Sequence, residues 1–121
     1  VTSAHVDLAI DNNGTWQDAF QFGEPDDTTW TLNDQAFAMD VQRSYFDTVP
    51  LLSLATSDGR IIIDDIIQRV IHLNVDPTLI QSSLQPGTYV YDLVMIGTPP
   101  SGVRVPLMHG TVCVAQGVTY S

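Results

Sequence analysis

Apolar and polar residues alternate along most of this chain. In Ala4–Ile10, Val6, Leu8 and Ile10 share one face, and His5, Asp7 and Ala9 share the other. Phe37, Met39 and Val41 oppose Ala38, Asp40 and Gln42, and Ile71, Leu73 and Val75 oppose His72 and Asn74. Tyr89, Tyr91, Leu93 and Met95 oppose Val90, Asp92 and Val94; Leu52, Leu54 and Thr56 alternate, as do Val103, Val105 and Leu107. Period two is the signature of a half-buried strand. Trp16–Phe22 reads as a further strand with Trp16, Phe20 and Phe22 inward, and Thr28–Leu32, Ile61–Ile63 and Thr111–Ala115 as short ones.

Turn chemistry punctuates these runs. Asp11-Asn12-Asn13-Gly14 predicts a hairpin, because Asn-Gly supplies the left-handed conformations a two-residue turn needs. Ser57-Asp58-Gly59-Arg60 predicts another, and Thr98-Pro99-Pro100-Ser101-Gly102 a loop. Gly110 is read as an interruption between two strands, and Pro106 as the mark of an edge or bulge, since proline cannot donate to a ladder. Asp64–Arg69 fits a bulge, a helical turn or a wide loop equally well. Asp76-Pro77 is a helix start, with Asp as N-cap and Pro in the first turn, so one short helix is expected near 77–84, stopped by Pro86-Gly87. Turns recurring about every ten residues indicate an all-β chain, an antiparallel β-sandwich or a barrel, in a single domain spanning 1–121.

Charge narrows the partners. Fourteen acidic residues face four basic ones, for a formal net charge of -10. Glu24 is the sole glutamate, lysine is absent, and the cations are Arg43, Arg60, Arg69 and Arg104. Aspartate favours turns over helix interiors, which suits a β-rich chain. An acidic surface repels phosphate, so direct nucleic-acid binding is not expected. No apolar run is long enough for a membrane helix and no signal peptide is apparent at VTSAHVD, so neither membrane nor secretion is expected.

Candidate chemistry is sparse. His5, His72 and His109 lie far apart in separate strands without HExxH or CxxC spacing, so no metal or cofactor is expected. Asp11–Gly14 lacks the ligand series of a calcium loop, and Glu24–Asp27 and Asp64-Asp65 read as solvated loops. Cys113, the only cysteine, reads as a semi-buried strand residue. There is no GxSxG elbow, phosphate-cradling glycine loop or assignable carboxylate pair, so no catalytic residue is proposed and the chain is not read as an enzyme. What remains are apolar residues in connectors: Tyr45 and Phe46, Pro99 and Pro100, and the terminal Tyr120. Rigid apolar tips of this kind contact partners, and these five are the candidate contacts, with Tyr45 and Phe46 reading equally well as a plug at the end of the sandwich.

Asp58-Gly59-Arg60-Ile61, then Leu84 with Pro86-Gly87-Thr88-Tyr89-Val90-Tyr91-Asp92-Leu93, and Gly110-Thr111-Val112, Val114 and Val118-Thr119 resemble small β-rich structural proteins of tailed bacteriophages. The resemblance implies an immunoglobulin-like or jelly-roll-like sandwich and a virion location, assembled in the host cytoplasm. It implies other virion proteins as partners, in multiple copies or as a homo-oligomer, at the tail, neck or baseplate, with no catalytic residues. Capsid decoration is the alternative within that class. A carbohydrate-binding module stacking sugars on Trp16, Trp30 and Tyr45 is the alternative from another class.

Overall fold

The computed structural model describes residues 4–22, 31–32, 35–97 and 104–117. Within them are nine strands: β1 (Ala4–His5), β2 (Leu8–Asp11), β3 (Ala19–Gln21), β4 (Ala36–Gln42), β5 (Leu52–Ala55), β6 (Ile61–Asp65), β7 (Val70–Leu73), β8 (Gly87–Ile96) and β9 (Arg104–Ala115). A helix, α1 (Pro77–Ser83), precedes β8. The strands form two sheets. One runs β1-β9-β8-β4-β5, with β2 following β1 along the same edge of β9, and the other runs β3-β7-β6. All pairings are antiparallel except those of β1 and β2, which lie parallel to β9.

The alternation translates directly into two facing layers. Phe37, Met39 and Val41 on β4, Leu52 and Leu54 on β5, and Tyr89, Tyr91 and Leu93 on β8 are buried from one side. Ile61, Ile71, Leu73 and Val75 close over them from the other, and Phe22 stacks on Phe37 at 5.9 Å between ring centres. The expected all-β sandwich is therefore the fold. In immunoglobulin lettering β3, β7 and β6 occupy the places of strands B, E and D, and β9, β8, β4 and β5 those of G, F, C and C′. Tyr89 completes the likeness: at the start of β8 its hydroxyl donates to the Gln85 carbonyl at 2.6 Å, forming a tyrosine corner.

The helix lies where the Asp-Pro signal put it. The Asp76 side chain accepts from the Thr78 amide at 3.2 Å, and Ile80 is fully buried.

Both predicted hairpins are corrected. Asp11–Gly14 does not join paired strands, because β2 pairs with β9 and β3 with β7. The turn carries the chain from one sheet to the other. Asn12 anchors it, its side-chain oxygen accepting from Gly117 N at 2.8 Å and its carbonyl from Gln81 Nε2 of α1 at 2.7 Å. Ser57–Arg60 likewise crosses between sheets, since β5 pairs with β4 and β6 with β7. A 3-10 turn, Thr56–Asp58, ends there on Gly59 at φ 79°.

The ambiguous Asp64–Arg69 segment is the real hairpin, joining β6 to β7. Asp65 caps its turn by accepting from the amides of Ile67 and Gln68, each at 3.0 Å. Gly110 interrupts nothing, for β9 is continuous through it. Cys113 is exposed on the outer side of β9, not semi-buried. Pro106 sits beside a register shift between Leu93 and Val94 of β8, on a stretch of β9 that β1 and β2 do not flank. The expected strand over Thr28–Leu32 falls mostly outside the described residues, and Thr31 and Leu32 are not in a strand.

Candidate interaction surface

The outer face of the larger sheet carries a row of polar residues that register alone assembles. Ser53 on β5 stands opposite Asp40 on β4, Asp40 opposite Asp92 on β8, Asp92 opposite His109 on β9, and His109 opposite His5 on β1. Ser53 Oγ donates to Asp40 Oδ1 at 2.7 Å. The rings of His5 and His109 meet edge to face at 5.2 Å. Asp7 Oδ1 lies 3.0 Å from His5 Nε2 and accepts from both the amide and the hydroxyl of Thr111, at 3.1 and 3.0 Å. Those Thr111 bonds, with a smaller contribution from His5, hold the Asp7 carboxyl below the usual range.

Asp40 and Asp92 are a like-charged pair facing each other across two strands, an arrangement that opposes sheet formation. Partial burial pushes the Asp92 carboxyl above its ordinary value, the charge of Asp40 adds to that, and Arg104 pulls the other way.

The connector between β4 and β5 lies against this face. Leu51 N donates to Val41 O at 2.8 Å, closing the loop at its base, and Asp47 N donates to Ser44 O at 3.2 Å. The Gln42 side-chain amide, with its nitrogen toward the loop, donates to the carbonyls of Asp47 and Ser44, both at 3.2 Å. From this base Tyr45 reaches back across β8 and donates its hydroxyl to Gly110 O of β9 at 3.2 Å. Under it lies a recess of about 170 Å³ lined by Asp40, Gln42, Tyr45, Val90, Tyr91 and Asp92. Beyond the tethered Tyr45 the loop presents apolar side chains to solvent: Phe46 is 96% exposed and Val49 73%.

Of the five predicted contact residues, Tyr45 and Phe46 are on this loop and open to solvent, whereas Pro99, Pro100 and Tyr120 lie outside the described residues. His72 is separated from the other two histidines, on the smaller sheet, where Nδ1 lies 2.7 Å from Asp64 Oδ2. Among the described residues no three of His, Cys, Asp and Glu are placed to hold a metal ion, and no helix is long and apolar enough to cross a membrane. Sequence reasoning missed Val49, Asp40 and Asp92. Val49 sits beside Pro50 in a run read as a connector. Each aspartate was legible as outward-facing from its strand, but their opposition depends on the pairing of β4 with β8.

No protein-family model matches the chain, and no curated protein matches it. Among solved structures the chain is similar to CopC from Methylosinus trichosporium OB3b, at 12% sequence identity and a TM-score of 0.41, over 100% of this chain and 91% of that one.

Proposed function

We propose that this chain is a non-enzymatic structural component of a tailed-phage virion, associated with the tail, neck or baseplate, that joins adjoining subunits or fibres through the β4–β5 loop. The observation that carries the reading is the build of that loop. Its base is fixed by hydrogen bonds from Gln42, Asp47 and Leu51, and Tyr45 is tied to Gly110, while Phe46 and Val49 remain in water. A rigid element that holds apolar side chains out of the fold loses little entropy on binding, as a joint between subunits requires. The phage assignment is supported by the resemblance of the Asp58–Ile61 and Leu84–Leu93 runs. A sugar-stacking role is less well supported, since Trp16 is 3% exposed and its indole nitrogen donates to Asp18 at 2.8 Å.

Quantitative mass spectrometry of purified virions tests the reading. Tens of copies per particle fit a tail, neck or baseplate part, whereas hundreds would move the protein to the capsid surface. Its absence from virions would overturn the assignment.

A further inference from the structure

We propose that the recess beneath Tyr45 receives one arginine side chain from a basic partner protein, its guanidinium set between Asp40 and Asp92. The inference rests on the reading of the chain as an assembly module and names the chemistry of the partner.

Three observations converge on the recess. The first is its shape: β4 and β8 form its floor, and the loop that carries Tyr45 forms its wall, so it is a small cavity at the foot of an exposed apolar loop. Its volume, about 170 Å³, suits the end of one long side chain. The second is its charge. The two carboxylates stand opposite each other in register; among the described residues neither is in an ion pair, Arg104 acts on Asp92 only through its charge, and the near contact of Asp40 is the neutral hydroxyl of Ser53. A cation placed between them would turn a repulsion into two attractions. The third is the aromatic wall. Tyr45 lines the recess and its ring is anchored through its hydroxyl, so an aromatic group is held beside the two carboxylates, and guanidinium stacks on aromatic rings while hydrogen-bonding carboxylates in its own plane.

Charge also selects the occupant. A second copy of this chain carries the same net charge of -10 and no lysine, so the long-range field opposes self-association through this face. A basic partner is drawn in by that field. Phe46 and Val49, on the same loop, would supply the apolar contact beside the buried ion pair, the usual make-up of an interface hot spot.

The test is an amide NMR titration of the full chain with a capped Gly-Arg-Gly tripeptide, alongside the same tripeptide carrying citrulline, which is close in shape and neutral. Saturable shifts are expected at Asp40, Gln42, Tyr45, Val90 and Asp92, at least about tenfold weaker with citrulline. The Asp40→Asn/Asp92→Asn variant, which keeps side-chain shape and removes the repulsion, should fold and lose the response. Equal responses to the two tripeptides, a response retained in the double variant, or shifts scattered over the acidic surface would overturn the proposal. The titration is independent of the virion count: failure to bind arginine by a protein present in virions sinks the recess alone, and binding by a protein absent from virions sinks the phage assignment alone.

Discussion

Arg69 and Phe22 hold each other by the backbone and by the side chain at once. Phe22 N donates to Arg69 O at 3.0 Å, and Arg69 Nε donates to Phe22 O at 2.7 Å. A second guanidinium nitrogen donates to Ile67 O at 3.0 Å, across the turn between β6 and β7. Arg69 is fully buried and takes a left-handed backbone, φ 60°, which costs a non-glycine residue energy. The carbonyls it satisfies would otherwise be stranded away from water. Arg69→Met should therefore lower stability by about 3 kcal/mol in urea unfolding, through unpaired carbonyls rather than lost volume. Arg69→Gly relaxes the backbone but strands the same carbonyls. If Arg69→Met, which keeps the backbone cost, were as stable as the parent, the guanidinium ties would have no energetic role.

Tyr91 links core to edge. Its buried ring spans the interior, and its hydroxyl donates to Val6 O at 2.6 Å, between β1 and β2. Burial, reinforced by the charge of Asp7, pushes the phenol up to about 12. The folded-state value lies above the ordinary 10.0, so this contribution to stability is full below pH 10 and is lost as pH rises toward 12. Tyr91→Phe should cost about 1 kcal/mol at neutral pH and make the alkaline fall in melting temperature shallower. An unchanged alkaline slope in Tyr91→Phe would assign that fall to other groups.

Much of the scaffold was legible in the sequence and the connections were not. The alternation in Phe37–Val41, Ile71–Val75 and Tyr89–Leu93 is set by burial on one side of a pleated strand, a property local to each segment. So is the Asp76-Pro77 start of α1. Asn13-Gly14 also acts locally, but it dictates only that the chain turns. Whether the flanking strands pair depends on β9, about a hundred residues further on, and β9 captures β2. Arg69 was invisible for a related reason: a lone cation between Gln68 and Val70 carries no sign of burial until Phe22 and Ile67 surround it. Exposed aromatics in a connector were enough to single out Tyr45 and Phe46. The Asp40–Asp92 opposition needed the register of two strands fifty residues apart.

Asp92 gives a signed test of that opposition. Its folded-state value is raised above the ordinary 3.8, so the folded protein holds this proton more tightly than the unfolded chain does. Stability from this group therefore increases as pH falls toward 3.8. Asp7 acts in the opposite sense, its depressed value making a contribution that is present above 3.8 and lost below it. Asp92→Asn should raise stability at neutral pH by about 0.5 kcal/mol, the scale of a relieved cross-strand repulsion, and remove the first of these trends while leaving the second. Urea midpoints measured from neutral to acid pH would show it. A destabilised Asp92→Asn protein would mean that the carboxylate is favourably held.

Gly110 sets how the N-terminal strands join the sheet. A Cβ there would overlap the Val6 carbonyl group, with the Val6 carbonyl carbon 2.8 Å away and Asp7 Oδ1 at 3.1 Å. The carbon and oxygen of that carbonyl belong to backbone already fixed by Val6 N donating to His109 O and Tyr91 donating to Val6 O. No side-chain rotation relieves the overlap, so Gly110→Ala must push Val6 and its neighbours off β9. The expected cost is about 2 kcal/mol, in the range of overpacking a closely fitted contact. The displacement should also leave a local signature, because Asp7 would part from Thr111 and its carboxyl would return toward the ordinary range, while the edge-to-face contact of His5 with His109 would open. NMR titration of the Asp7 carboxyl and the His109 ring shifts in Gly110→Ala would report both. A variant with parental stability and an unchanged Asp7 titration would show that β9 yields at this point, leaving close approach to Val6 no part in docking β1 and β2.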